Sequence, residues 1–336
     1  MEYRYLGSSG LKVSQACLGT MTFGREADEQ TSTKMIDHYR EAGGNFLDTA
    51  DSYGPKGQAG TSEMVVGRAL KGKRHDFVIS TKVGFPTGPG ANDLGLSRAH
   101  IFREVEASLR RLQTDYIDVY HVHCWDEGTP LEETLSALNT LVSTGKVRYL
   151  GGSNFAAWQI MKALAVCDNS GWPRFVSAQM QYSLLMRDIE REILPLCDHE
   201  GLSVIAWGPL GGGFLTGKYQ TGVAPPHEGR VVTVNENEEE AWIRRATERN
   251  FQIVEAVGEV ARSLGVRHAN VALAWLLARG VIPIIGARDL DHLETNLKSI
   301  DLGLSPVEAE KLERASWIDL GYPYRFIREV FPDRRQ

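Results

Sequence analysis

The sequence predicts a closed barrel of eight parallel strands, each followed by a helix: a (β/α)8 TIM barrel with an N-terminal β-hairpin cap and extra C-terminal helices. Three observations predict it. Eight short apolar runs, rich in β-branched and aromatic residues and bounded by turn signals, recur along the chain. Longer stretches of helical period separate them, which is the alternation of repeated strand-helix units. The length of 336 residues suits one such barrel as a single domain over 1–336.

Residues 2–14 read as a hairpin that caps one end of the body. Tyr3 and Tyr5 alternate with polar neighbours, Gly7-Ser-Ser-Gly10 supplies the turn, and Leu11 and Val13 resume the alternation. The barrel strands follow near 16–19, 45–48, 77–81, 116–123, 148–152, 175–178, 202–206 and 281–285. Helices fall near 29–43, 62–71, 98–112, 131–144, 155–167, 188–200, 246–264 and 289–299, with stops such as Gly43-Gly44 and Gly201. One more helix, over 270–279, precedes the last strand, and another over 305–318 is opened by Ser305-Pro306.

Two segments stand outside the repeat. Residues 219–245, with Pro225-Pro226 and the run Glu238-Glu-Glu240, read as a long inserted loop. The tail over 319–336 carries Tyr322, Tyr324, Phe326 and Phe331. That is too aromatic for a solvated tail, so it should dock on the barrel mouth or on a second subunit of a homo-oligomer.

Composition sets outer limits. A hydrophobic fraction of 42% is that of an ordinary globular protein, and a net charge of -6 gives no general attraction for nucleic acid or an anionic membrane. Cys17, Cys124, Cys167 and Cys197 lie far apart without a CxxC pair, so neither a disulfide framework nor a thiolate zinc site is indicated. The amino terminus lacks the regions of a signal peptide and no apolar run is long enough to span a bilayer, so a cytoplasmic protein is expected.

Polar residues gather at the ends of three successive strands, where barrels of this kind place their chemistry. Asp48 and Tyr53 follow the second strand in Asn45-Phe-Leu-Asp-Thr-Ala-Asp-Ser-Tyr-Gly54, Lys82 closes the third, and His123 closes the fourth. Strand alternation turns Ile117, Val119, His121 and His123 inward and Tyr116, Asp118 and Tyr120 toward the helices, with no physical reason visible for an aspartate there. A tyrosine donates protons usefully only if its pKa of about 10 is lowered or its proton is replaced through a relay. A Lys82 ammonium about 4 Å away would favour the phenolate by up to roughly 4 kcal/mol before burial is counted. Asp48 would keep that ammonium charged, and His123 could orient a carbonyl oxygen.

The ordered set formed by Gly43 to Gly54, Ser62-Glu63 with Gly67, Ser80-Thr-Lys82, Leu109 to Leu112 with Asp115-Tyr-Ile-Asp118, and His123 resembles the aldo-keto reductases over nearly the whole chain. The resemblance implies a barrel that binds a nicotinamide cofactor across its mouth without a Rossmann domain. Tyr53 is then the general acid-base, supported by Asp48, Lys82 and His123, with hydride delivered from the pro-R side and no metal involved. It assigns Ser153, Asn154 and Gln179 to the nicotinamide carboxamide and Trp207 to stacking on the ring. Thr20, Met21 and Asp48 count among the implied cofactor contacts. Gly208, Pro209, Leu210, Gly211, Gly213 and Lys218 would meet the diphosphate, with Arg230 closing over it. Ile285, Gly286, Ala287, Arg288, His292 and Asn296 look like the adenosine-phosphate site, which favours NADP(H) over NAD(H). Two residues depart from the family pattern there: His292 stands where glutamine or arginine is common, and Thr295 replaces a glutamate.

The substrate implied is a small carbonyl or alcohol, in an apolar mouth lined by Phe23, Tyr53, His123 and Trp125. Two other classes compete. A metal-dependent barrel hydrolase would use His121 and His123 as ligands but leaves Tyr53, Trp207 and Arg288 without a task. A cofactor-binding regulatory subunit could keep the same site without useful turnover. Taken singly, each site residue has an ordinary structural explanation; jointly, their placement does not.

Overall fold

The apolar runs become strands because their residues alternate between two buried layers, the barrel interior and the shell of helices. The computed structural model describes residues 1–223, 225, 229–234, 236 and 239–332. In it β1 (Tyr3–Tyr5) and β2 (Lys12–Ser14) form the antiparallel hairpin, with Tyr3 opposite Ser14. Eight parallel strands then close into a barrel: β3 (Cys17–Gly19), β4 (Phe46–Asp48), β5 (Val78–Val83), β6 (Ile117–Val122), β7 (Val147–Ser153), β8 (Phe175–Gln181), β9 (Ser203–Trp207) and β10 (Ile282–Gly286). They pair in chain order, and β10 closes on β3 through Ile284 and Cys17.

An inner cluster joins Cys17, Phe46, Val78 and Ile282, each the first residue of its strand, to Val119 and Ile205. Leu6 and Val13 of the hairpin belong to the same cluster. The hairpin therefore plugs the amino-terminal end and leaves the carboxyl-terminal end for chemistry. Gly7 permits the close approach: its amide donates to Ser203 Oγ at 2.7 Å, and a Cβ there would stand 2.2 Å from the Val176 carbonyl oxygen. Ile117, expected inside, packs instead with the helix-side core.

Asp118 now has a physical account. Its Oδ2 accepts from the Arg74 guanidinium at 2.7 Å and from the Ile79 amide at 3.0 Å, tying β6 to the start of β5.

Five of the described α-helices begin at a residue whose side chain caps the first turn. Ser97 opens Arg98–Leu112, and Ser305 forms a capping box with Glu308 at the start of Pro306–Ala315. The helix expected over 188–200 is broken into a 3-10 turn, Asp188–Glu190, and a helix, Ile193–Glu200. Pro195 is the reason: it is tolerated in a first turn, whereas a continuous helix would set its ring against the Arg191 carbonyl.

The long insertion is not structureless. Arg230–Thr233 and Trp242–Arg245 are short helices, and Trp242 packs against Phe214, Tyr219 and Phe251. Pro226 and Glu238 lie outside the described residues. The tail forms the helix Tyr324–Val330, held by a 2.8 Å hydrogen bond from the Tyr324 hydroxyl to Glu192, with Tyr322 and Phe326 facing outward. No helix among the described residues is long and apolar enough to cross a membrane.

Candidate active site

Lys82 sits near the end of β5 with its side chain fully buried, so all three of its ammonium protons need acceptors. It finds them in Asp48 Oδ2 at 2.6 Å, the Thr49 carbonyl at 2.8 Å and the Tyr53 hydroxyl at 3.2 Å. Asp48, the last residue of β4, receives two further hydrogen bonds on Oδ1, from Ser80 Oγ at 3.0 Å and Gln179 Nε2 at 2.8 Å. Strand ends from β4, β5 and β8 thus converge on one carboxylate. Removing one member of such a buried pair typically costs about 3–5 kcal/mol.

The electrostatics sharpen the expected relay and correct one part of it. Burial works to lower the Lys82 ammonium, but Asp48 and Tyr53 outweigh it and hold it above the ordinary lysine range. For Tyr53, burial raises the phenol, Lys82 lowers it and Asp48 raises it again, leaving it above the usual value. Lys82 therefore does not bring Tyr53 below its normal range in this structure; the phenol keeps its proton. His123, just beyond β6, is pushed well below its usual value by burial, with Lys82 and His121 adding to the effect. Its imidazole is neutral.

His123 is walled by aromatic rings. Phe85 stacks on it at 3.8 Å between centroids and 14° between planes, and Tyr53 meets it edge-on at 5.8 Å. Trp125 stands edge-on to Phe155 at 5.3 Å and to Trp158 at 5.7 Å. Phe23 is not part of this wall. It is 0% exposed, packed in the helix-side core, because the chain turns back after β3 with the Phe23 amide on the Thr20 carbonyl. Phe85 and Ser80 are the members that sequence reasoning missed. Phe85 lies two residues beyond β5 after Gly84, a loop aromatic whose stacking partner is on another strand. Ser80 carried a visible signal, since alternation places it on the same face as Lys82.

The other expected residues fall around the same end of the barrel. Ser153 Oγ donates to the Gln179 carbonyl at 2.8 Å. Asn154, at a left-handed φ of 55°, donates to the His123 carbonyl at 2.8 Å and accepts from the Trp207 indole at 2.9 Å. Thr20 Oγ1 donates to the Asp48 carbonyl at 3.0 Å, so its buried hydroxyl serves the fold. After Trp207, Gly208, Gly211 and Gly213 take φ values of 62°, 57° and 90°, which glycine adopts readily; Pro209 is buried and Leu210 half-buried between them. Arg230 is ion-paired with Glu240, and its Nη1 lies 3.4 Å from Met21 Sδ, so the insertion reaches across from the β9 loop to the β3 loop.

At the end of β10 and just past it, Ile285 and Ala287 are buried while Gly286 and Arg288 are exposed. Asn296 donates to the Gly286 carbonyl at 2.9 Å, and His292 Nδ1 pairs with Asp289 at 2.8 Å. Lys218 is pushed down from its usual value by burial and by Arg288, so the two cations converge. A partly accessible glycine-rich backbone beside two converging cations fits a dinucleotide's phosphates.

Residues 16–316 match the model of the aldo/keto reductase family. The chain is 40% identical to the uncharacterized oxidoreductase YrpG of Bacillus subtilis (strain 168), covering 90% of this chain and 92% of that protein. It is 35% identical to norsolorinic acid reductase of Aspergillus flavus, covering 98% and 84%. It is also 36% identical to a probable voltage-gated potassium channel subunit beta of Arabidopsis thaliana, covering 94% and 96%. With the barrel, the strand-end constellation and this likeness along nearly the whole chain together, the protein belongs to the aldo/keto reductase family.

Proposed function

We propose that this chain reduces an aldehyde or ketone to an alcohol with NADPH, and runs the reverse with NADP⁺, using Tyr53 as the general acid. The observation that carries the reading is the single ammonium of Lys82 held between Asp48 and the Tyr53 hydroxyl. When bound, the reduced nicotinamide would supply the hydride to the carbonyl carbon. Tyr53 gives its proton to the carbonyl oxygen, and Lys82 stabilises the phenolate left behind. His123, neutral and held between Phe85 and Tyr53, orients the substrate oxygen. Asn154, Gln179 and Trp207 would hold the nicotinamide end, the Gly208 to Gly213 loop with Lys218 and Arg230 the diphosphate, and Arg288 with His292 a 2′-phosphate.

A panel of aldehydes, ketones and alcohols, followed by absorbance of the reduced nicotinamide with NADPH and with NADH, tests the activity and the cofactor together. Tyr53→Phe should lower kcat by about 10²–10⁴-fold while leaving cofactor affinity unchanged. Near-normal turnover in that variant would sink the assignment. Arg288→Ala should weaken NADPH binding by about 10-fold or more through the lost charge-assisted contact, with little change for NADH; an equal loss for both would remove Arg288 from the 2′-phosphate site.

A second reading, a cofactor-binding regulatory subunit, has the name of the Arabidopsis relative in its favour. Slow turnover on every carbonyl, together with cofactor-dependent binding to another protein, would support it. The metal-hydrolase alternative loses a ligand, since both ring nitrogens of His121 are taken by serine hydroxyls.

A further inference from the structure

Behind the Asp48–Lys82–Tyr53 group, a row of buried polar side chains continues into the barrel. Ser80 Oγ lies 3.0 Å from Asp48 Oδ1 and 3.0 Å from His121 Nδ1, and His121 Nε2 lies 2.9 Å from Ser177 Oγ. Ser80, His121 and Ser177 are all essentially inaccessible, at 0%, 0% and 1% exposed. Room for the imidazole is made by Gly151 on the neighbouring strand: a Cβ there would stand 2.3 Å from the His121 ring.

The direction of every hydrogen bond in the row follows from one end. An ionised carboxylate only accepts, so the Ser80 hydroxyl proton goes to Asp48. Ser80 Oγ must then accept from His121, which puts the imidazole proton on Nδ1. The bare Nε2 in turn accepts from the Ser177 hydroxyl. His121 is neutral, pushed down to about 3 by burial, with Lys82 adding to it, so the row holds a single proton arrangement. The ionisable groups that act on His121 are Lys82 on the adjacent β5 and His123 just beyond the end of its own strand, with Asp48 on β4 reached through Ser80.

We infer that His121 is a positioning residue for the proton donor: its Nδ1–H fixes the Ser80 hydroxyl on Asp48, so that Asp48 holds Lys82 against Tyr53. Without that donor, the Ser80 hydroxyl is free to turn away from Asp48. The carboxylate then loses one of the two hydrogen bonds on Oδ1, and the ammonium loosens from the phenol. This inference rests on the carbonyl reductase reading for its kinetic consequence. Its structural part, the tautomer of His121, does not.

The test has two arms. Nitrogen NMR of protein labelled at histidine should show His121 as the neutral Nδ1–H tautomer, and Ser80→Ala, which removes the acceptor that holds that proton, should admit a share of Nε2–H. An Nε2–H tautomer in the unaltered protein overturns the inference whatever the activity. In the kinetic arm, alcohol oxidation with NADP⁺ requires the Tyr53 phenolate. His121→Leu should shift the acid limb of its pH profile upward by about half a unit to one unit and lower kcat about 10-fold, with KM for the cofactor unchanged. His121→Asn, which keeps a donor toward Ser80, should restore most of both. A His121→Leu profile that superimposes on the unaltered one, or equal damage from Leu and Asn, overturns the inference. If His121→Leu does not fold, Ser80→Ala, which takes the same hydrogen bond off Asp48, carries the kinetic arm with the same expected direction, and an unshifted profile there overturns the inference. Absence of turnover on any carbonyl by the unaltered protein would instead defeat the proposed activity and leave the tautomer result standing.

Discussion

Tyr53 holds its proton more tightly than a free phenol because burial outweighs Lys82, and that suits a reductase. The acid form is the working form for carbonyl reduction, and it is lost only as pH rises through the folded pKa. Reduction with saturating NADPH should therefore stay flat through neutral pH and fall only near or above about pH 10, while alcohol oxidation rises with pH over the same range. Rate measurements in both directions across that range check it; a reduction rate already falling near pH 7 would show a phenol that Lys82 has depressed after all. Asp48, Lys82, Tyr53 and His123 were legible from the chain because each closes or follows a short apolar strand. The sign of the Tyr53 shift was not, since it depends on how deeply the ring is buried. Phe23 shows the same limit: an aromatic after a strand reads the same whether it lines a mouth or fills a core.

The turn that presents Tyr53 contains a buried carboxyl. Among the described residues, neither carboxylate oxygen of the fully buried Asp51 nor the buried Tyr120 hydroxyl has a hydrogen-bond partner. Burial raises the Asp51 carboxyl well above its usual range, and Glu63 and Glu104 add to it while Arg111 and Lys82 oppose. Glu63 itself is occupied by Thr81 and Arg111, each at 2.6 Å. The folded state thus holds a proton on Asp51 that the unfolded chain releases above about pH 4, so this group's contribution falls as pH rises from there toward the folded pKa. Asp51→Asn, neutral at every pH, should melt higher than the unaltered protein at neutral pH, by about 2–4 °C per kcal/mol relieved, with the gain vanishing below about pH 4. Thermal melts at both pH values check it, and a variant that melts lower at neutral pH would mean that Asp51 is ionised and paired. At this scale the sequence was informative where caps and stops are local, as in Arg98–Leu112 with Ser97 before it. It misled over 188–200, where Pro195 overrides the helical period, and over the insertion, whose short helix Trp242–Arg245 is held by Trp242 packing on distant rings.

Across the whole molecule, the two ends of the barrel have separate duties. The hairpin contributes Leu6 and Val13 to the inner cluster at the amino-terminal end, while Asp48, Lys82, Tyr53 and His123 meet at the other. Leu6→Ala should lower stability by about 2–5 kcal/mol and leave kcat on a good carbonyl substrate unchanged below the melting transition. Denaturant melts beside steady-state rates test this; a fall in kcat in the fully folded variant would show that the plug also shapes the mouth. The sequence by itself determined the fold class, the eight strands and their order, the hairpin and the placement of Asp48, Tyr53, Lys82 and His123 at strand ends, because hydrophobic period, turn residues and strand-end polarity are local properties written in neighbouring positions. The tertiary structure alone decided that Asp118 ties two strands together, that Phe85 and not Phe23 walls His123, that Arg230 reaches from the insertion to Met21 of the β3 loop, and that His121 stands in one row with Ser80 and Ser177. Each of these is a contact between side chains on different strands or loops, set by barrel closure and register, and no period along the chain encodes which partners closure brings together.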